Sequence, residues 1–498
     1  MELDLHTTLL AYERTLRFDP YNVSALCDIG KALHQFNRLQ DARKCYKAAV
    51  EVLKRTIRAG DADAALNLET MIYLAFVRPV EDEQHYYRCF ADWRVDMARL
   101  GKQFRKSEDF RGDPNRIAFY LHTGFILGHS EVLFKMLDNI PGELRATLVL
   151  RIYVRAKYEQ AFVERAQRIG IEVVLIRDCV PGGESATTLE KFQYLRERLR
   201  RDGIGVCIWV TSPETAAFAL SMRLAPVQIF WALRFHPVTG PYIDGYITYG
   251  SRDETERVYG KRKWRVCPPL LTIDATPPDP AAVAGIRAKF PEPLLLGTIA
   301  REDKINSKPY LECVAQILQM HLHVGFLWTG KDEHAGITSF LRNAGVAERC
   351  HFVGWVDVNL YANAMDVFLE TFPLGGGVSG YCALAGGVPL VSYLTPYTVL
   401  GNHLWHNRSA KNPPPDSGDA VPDTSPLSSD YILCAHNTDE YVAFATRLVT
   451  DNAFRQVVGQ AGQAFYECEA SSAQEYTRRF FDTVQDIAQA KNTAIRSA

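Results

Sequence analysis

The sequence predicts an α/β protein with two doubly wound lobes preceded by an all-α region. Three observations predict it. Short apolar runs alternate with amphipathic stretches in two separate series, one from Arg116 and one from Pro291, the pattern of buried parallel sheets covered by helices on both faces. The first hundred or so residues show helical spacing alone. The chain of 498 residues is long enough for about three domains at roughly 150 residues each. The expected division is a helical domain over 1–110, a first lobe over 111–252, a linker over 253–290, a second lobe over 291–472 and a final helix over 473–498 that crosses back to the first lobe.

Within the helical region the clearest piece is Asn22 to Lys54. Leu26, Ile29, Gly30, Leu33, Ala42, Tyr46 and Ala49 fall at the spacing of a tetratricopeptide repeat, where small residues let two antiparallel helices approach and larger ones fill the groove. Such a region either recruits a peptide or caps the next domain. In the first lobe IAFYLH (117–122), TLVLRIYV (147–154), IEVVLI (171–176), GVCIWV (205–210) and APVQIFW (225–231) read as strands. In the second, LLLGTIA (294–300), HVGFLWTG (323–330), CHFVGW (350–355), DVFLET (366–371) and VPLVSY (388–393) do. Residues 407–430 hold five prolines between 413 and 426 and almost no large apolar side chain, so they read as a mobile surface insertion. Two such lobes in one chain enclose a cleft, and ligands of these sheets sit beyond the carboxyl ends of the strands.

Composition narrows the function. With 47% apolar and 23% charged residues the chain is neither disordered nor fibrous. Its 56 Lys and Arg against 58 Asp and Glu leave a formal charge of −2, which offers no electrostatic footprint for nucleic acid. The 11 cysteines are scattered without a CxxC pair and read as reduced core thiols of a cytoplasmic protein. No apolar run approaches the length of a membrane span, and the N-terminus lacks the basic start of a secretory signal. No metal site is expected: His321 and His323 alternate without a carboxylate partner, and Asp61 and Asp63 lie in helical sequence rather than after a strand.

Three segments carry candidate chemistry. The first is LETFPLGGGVSGYCALAGGVPLVS (369–392), a strand, a glycine run and a helix start. Gly375, Gly376 and Gly377 let backbone N–H groups approach an anion, and Val378, Ser379 and Gly380 open the helix whose N-terminal partial charge favours a diphosphate. Ser379 is expected to cap that helix and to offer its hydroxyl to a phosphate. The second is GTIAREDKINSKPYLE (297–312), which places Arg301 and Lys304 just past the first strand of the same lobe, where cations stabilise a departing nucleoside diphosphate. The third is FYLHTGFILGHSE, which puts His122 at the end of a strand and His129 at the start of the next helix, each a candidate base for an acceptor hydroxyl. His236, in a loop rich in Gly and Pro, is a further candidate at the cleft edge.

These residues resemble a known family. Arg223, Ala225, Pro226, Val227, Gln228, His236, Pro237, Ile243 and Asp244 follow a pattern shared by the protein O-GlcNAc transferases and the bacterial adhesin N-glucosyltransferases, which together form glycosyltransferase family 41 of the GT-B superfamily. Lys304-Ile305 resembles the family's Lys-Ile pair, and Val378-Ser379-Gly380 ahead of Gly387-Val388-Pro389 resembles its helix-start motif. The family's uracil loop falls on Gly354, Trp355 and Val356. Its acidic ribose ligand falls on Cys382, or on Ala383 in a shifted alignment, leaving Glu370 and Asp332 as candidate replacements. The resemblance implies a metal-independent, inverting transfer of a hexose from a UDP-sugar to a protein side chain, Asn or Ser/Thr, with no cofactor beyond the donor. Two other readings stay open: a transferase acting on a glycan or lipid-linked saccharide, and a non-catalytic scaffold that binds a partner through its repeats.

Overall fold

The structure is a computed structural model that describes residues 5–35, 38–76, 83–106, 110–210, 212–233, 238–250, 252–259, 261–268, 270, 278–394 and 433–496. His236 and the insertion expected at 407–430 lie outside the described residues. Among the described residues no helix is long and apolar enough to cross a membrane.

The N-terminal region is helical, with helices Leu5–Phe18, Val23–Gln35, Leu39–Arg58, Ala62–Phe76 and Glu83–Lys102. The second and third pack as the tetratricopeptide-like hairpin that the sequence predicts. Leu26, Ile29, Leu33, Ala42, Tyr46 and Ala49 are all buried between them. Gly30 is required there, because a Cβ would run into the Tyr46 ring.

The first lobe is an eight-stranded sheet. Its strands are β1 (Asp113–Leu121), β2 (Val149–Val154), β3 (Glu172–Leu175), β4 (Ile204–Val210), β5 (Val227–Ala232), β6 (Gly245–Thr248), β7 (Glu256–Tyr259) and β8 (Arg262–Val266). They lie in the order β3-β2-β1-β4-β5-β6-β8-β7, parallel except for the antiparallel β7–β8 hairpin. That hairpin corrects the expected linker, which was to begin at 253. Glu256, Arg257, Arg262, Lys263 and Arg265 make the stretch look like charged connecting chain, yet Trp264 and Val266 alternate inward and are buried.

The second lobe has six parallel strands: β9 (Leu294–Thr298), β10 (Val324–Trp328), β11 (Cys350–Phe352), β12 (Val367–Leu369), β13 (Leu390–Tyr393) and β14 (Leu433–Ala435). Their order is β11-β10-β9-β12-β13-β14. In both lobes the first strand therefore lies between the second and the fourth. The direction of winding reverses there, and the loops that leave these neighbouring strands part to form a crevice.

The final helix, Ala473–Arg496, packs against the first lobe. Phe480 packs against Trp231 at a tilt, with ring centroids 4.5 Å apart, and Arg479 donates to the Arg252 carbonyl at 2.6 Å. Lys491 pairs with Asp244 at 3.1 Å. The same Asp244 pairs with Arg223 at 2.7 Å and accepts from the Gln228 backbone N–H. Gln228, fully buried, donates to the carbonyls of Leu220 and Tyr242. The family-like segment 221–248 thus has an internal role, locking β5, the loop before it and the returning helix together.

Candidate active site

The carboxyl edge of the second sheet gathers the residues expected to hold an anion. Arg301 and Lys304 follow β9, and the glycine run follows β12, its neighbour across the crevice. Lys304 Nζ donates to the Gly375 carbonyl at 2.6 Å, so the ammonium lies against the glycine run. Gly377 has φ of +61° and occupies the N-cap position of the helix Val378–Ala385. Only a residue without a Cβ turns the chain there without strain, and the turn leaves the first amides of the helix to receive an anion.

Ser379 corrects one expectation. Gly377, not Ser379, holds the cap position, with no side-chain cap. The buried Ser379 hydroxyl donates to the Ile299 carbonyl at 2.7 Å, tying the helix start to the end of β9. Gly380 is buried beneath it, whereas Gly375, Gly376, Gly377 and Val378 remain half-exposed. Arg301 projects into solvent, 3.5 Å from Asp303.

Glu370, the first residue after β12, is fully buried. It accepts from the Ser392 hydroxyl. Burial pushes its carboxyl up to about 7, against the opposing pull of that hydroxyl, the Gly377 and Gly376 amides and Lys304. It therefore braces the glycine run from behind and is out of reach of a ribose. Asp332, beyond β10, is exposed. Cys382 is buried, and burial raises its thiol to about 11, so it offers a ribose no charge.

Gly354, with φ of +73°, follows β11, and its carbonyl accepts from Gly330 N–H at 3.3 Å. Trp355 beside it is 72% exposed, and Val356 is half-buried. This loop stands two strands from β9, roughly 10 Å along the sheet edge, the reach of a nucleoside extending from a diphosphate at the crevice.

The carboxyl edge of the first sheet holds the histidines. His122 leaves β1, Arg155 leaves β2, and Glu214 lies just beyond β4. His122 Nδ1 is 2.8 Å from Glu214 Oε1. The Arg155 guanidinium lies 3.3 Å from the same ring and donates to the Tyr120 hydroxyl at 2.9 Å. Burial, then the Arg155 charge, lowers the His122 pKa against the opposing pull of Glu214. The imidazole is thus held neutral, as a base must be, while the carboxylate fixes its tautomer. Glu214 is the residue that sequence reasoning missed. TSPET carries no pattern of its own, and only the 3-2-1-4 winding brings it beside His122.

His129 is the second residue of the helix Gly128–Asp138. The buried Ser130 fixes that turn by accepting from Leu127 N–H and donating to the Phe125 carbonyl, each at 2.7 Å. A Cβ at Gly128 would lie 3.7 Å from Val378 Cγ2. The helix start bearing His129 therefore lies close to the start of the helix Val378–Ala385 in the second lobe. Among the described residues, no three His, Cys, Asp or Glu side chains are grouped to hold a metal.

This is the two-lobed GT-B fold. The chain is similar to the O-GlcNAc transferase of Thermobaculum terrenum in a mutant form, at 15% identity and a TM-score of 0.60, over 99% of this chain and 96% of that one. It is also similar to Anabaena HepE in complex with UDP and glucose, at 12% identity and a TM-score of 0.50, over 77% of this chain and all of that one. A glycosyltransferase from Rickettsia africae gives 9% identity and a TM-score of 0.52, over 75% of this chain and 98% of that one. No protein-family model and no curated protein matches the sequence.

Proposed function

We propose that the chain is a glycosyltransferase that moves a hexose from a UDP-sugar to a protein side chain, without a metal. One observation carries this reading: Lys304 and the glycine run meet at the crevice of the second lobe, with the His129 helix start of the first lobe opposite. A diphosphate lies at the start of the helix Val378–Ala385 with Lys304 beside it, and Trp355 offers its exposed ring to the uracil. The acceptor oxygen or nitrogen attacks the anomeric carbon from the first lobe as the bond from that carbon to the diphosphate breaks. The electron pair leaves with UDP, whose charge Lys304 and the amides stabilise. The acceptor proton passes to a histidine of the first lobe, with His122 the one built as a base. The likeness to an O-GlcNAc transferase along nearly the whole chain, helical region included, supports a protein as acceptor.

Calorimetric titration with UDP tests the donor site, since full-length protein should bind it. Lys304→Ala should weaken binding tenfold or more by removing a charge-assisted contact. Undiminished affinity would remove Lys304 from the diphosphate site. Mass spectrometry of co-expressed proteins tests the acceptor: hexose on peptides is expected, and UDP release without peptide labelling would point to a glycan or lipid-linked acceptor.

A further inference from the structure

Behind the His122–Glu214 pair lies a carboxylate from another domain. Glu69, on the helix Ala62–Phe76, is fully buried and accepts from Trp93 Nε1 at 3.1 Å. Its neighbours across the domain boundary are the Thr215 backbone amide and the Glu214 carboxylate. Thr215 is fully buried and has φ of +59°, a left-handed conformation that a β-branched residue adopts only where its surroundings impose it. The second oxygens of Glu69 and Glu214 are both buried without a hydrogen-bond partner among the described residues. The helical domain also docks tightly at this point. A Cβ on Gly101 would run into the Phe218 carbonyl, one turn beyond Thr215.

We propose that Glu69 of the helical domain is a positioning residue for the acceptor-side base, holding the strained 212–215 turn so that Glu214 meets His122. The proposal rests on reading the cleft as a UDP-sugar transfer site, and it deepens that reading by making the helical domain part of the catalytic unit. Without Glu69, the Thr215 amide loses that partner from the helical domain, the turn relaxes, and Glu214 loses its approach to the imidazole. The charge on Glu69 matters as well. Burial raises its pKa to about 8, against the Trp93 hydrogen bond, with the Glu214 charge raising it further and the Thr215 amide and Arg94 lowering it. Trp93 and Arg94 face it from the helix Glu83–Lys102, Glu214 and Thr215 face it from the first lobe, and Tyr242 also feels its charge. At neutral pH Glu69 is thus protonated, and Gln is its close mimic.

The test compares full-length wild type, Glu69→Ala and Glu69→Gln with UDP-glucose and UDP-N-acetylglucosamine as donors, scoring UDP release from pH 6 to 9. The His122 ring is followed by histidine NMR, assigned with His122→Asn. In Glu69→Ala, kcat should fall tenfold or more with donor KM within twofold, and the His122 signal should lose its fixed tautomer. Glu69→Gln should restore kcat to within threefold at pH 7 and lack the alkaline limb near pH 8 that wild type shows. If Glu69→Ala does not fold, Glu69→Gln and Trp93→Phe carry the comparison, the latter releasing one hydrogen bond to Glu69. Unchanged kcat and an unchanged His122 signal in a folded Glu69→Ala would overturn the proposal, as would an identical alkaline limb in Glu69→Gln. Failure of the donor reading is separate: it appears as no UDP binding by wild type, while the His122 signal still reports whether Glu69 holds the turn.

Discussion

Glu69 and Glu370 are buried carboxylates whose ordinary value near 4.5 is raised to about 8 and about 7 by loss of water. In the window between 4.5 and those values the folded chain holds protons that the unfolded chain has released. Stability therefore falls as pH rises through that window and levels off above it. His122 acts in the opposite sense. Its lowered pKa means that the unfolded chain binds the proton first, so stability falls as pH drops below its usual 6.5. Calorimetric melting should show a Tm several degrees lower at pH 8.5 than at pH 5.5, with Glu69 contributing on the order of 3 kcal/mol. Glu69→Gln should flatten that slope, and a slope unchanged by the substitution would assign the effect elsewhere.

Among elements, the glycine run shows how far local sequence reaches. Three successive glycines between a strand and a helix announce a backbone anion site, and the structure places Gly377 at positive φ at the helix start. Gly377→Ala should destabilise the protein by about 1–2 kcal/mol, seen as a lower Tm. It should also weaken UDP binding, because a strained turn displaces the start of the helix Val378–Ala385. The role of Ser379 was not legible, because its partner, the Ile299 carbonyl, lies 80 residues away in the chain. Ten of the strands are legible as apolar runs, since burial on both faces writes a continuous hydrophobic run, whereas the short β6 and β14 are not. Nor is the β7–β8 hairpin, because an edge hairpin buries one side only and its charged outer side hides the alternation.

At the scale of the molecule, the pairing of His122 with Glu214 illustrates what a linear reading leaves out. The two residues are 92 positions apart and meet only because β1 and β4 are neighbours in the sheet, an order fixed by the winding rather than by any local motif. The helical layer is held to the first lobe in several places. Asp63 accepts from Leu189 N–H at 3.1 Å, Thr188 donates to the Asn67 side chain at 3.0 Å, and Lys106 pairs with Glu197 at 2.6 Å. Asp63, unremarkable as part of an acidic pair in helical sequence, thus acts as a dock for the N-terminus of the helix Thr188–Arg201.

The helical layer also touches the second lobe. Asn306, two residues past Lys304, donates to the His34 carbonyl at 3.4 Å, so a layer anchored to the first lobe also grips the second. If the cleft turns over UDP-sugar as proposed, widening it to discharge spent nucleotide must stretch that Asn306 contact. The pace of UDP escape, measured by stopped-flow, should rise several-fold in Asn306→Ala, in line with the modest worth of one hydrogen bond.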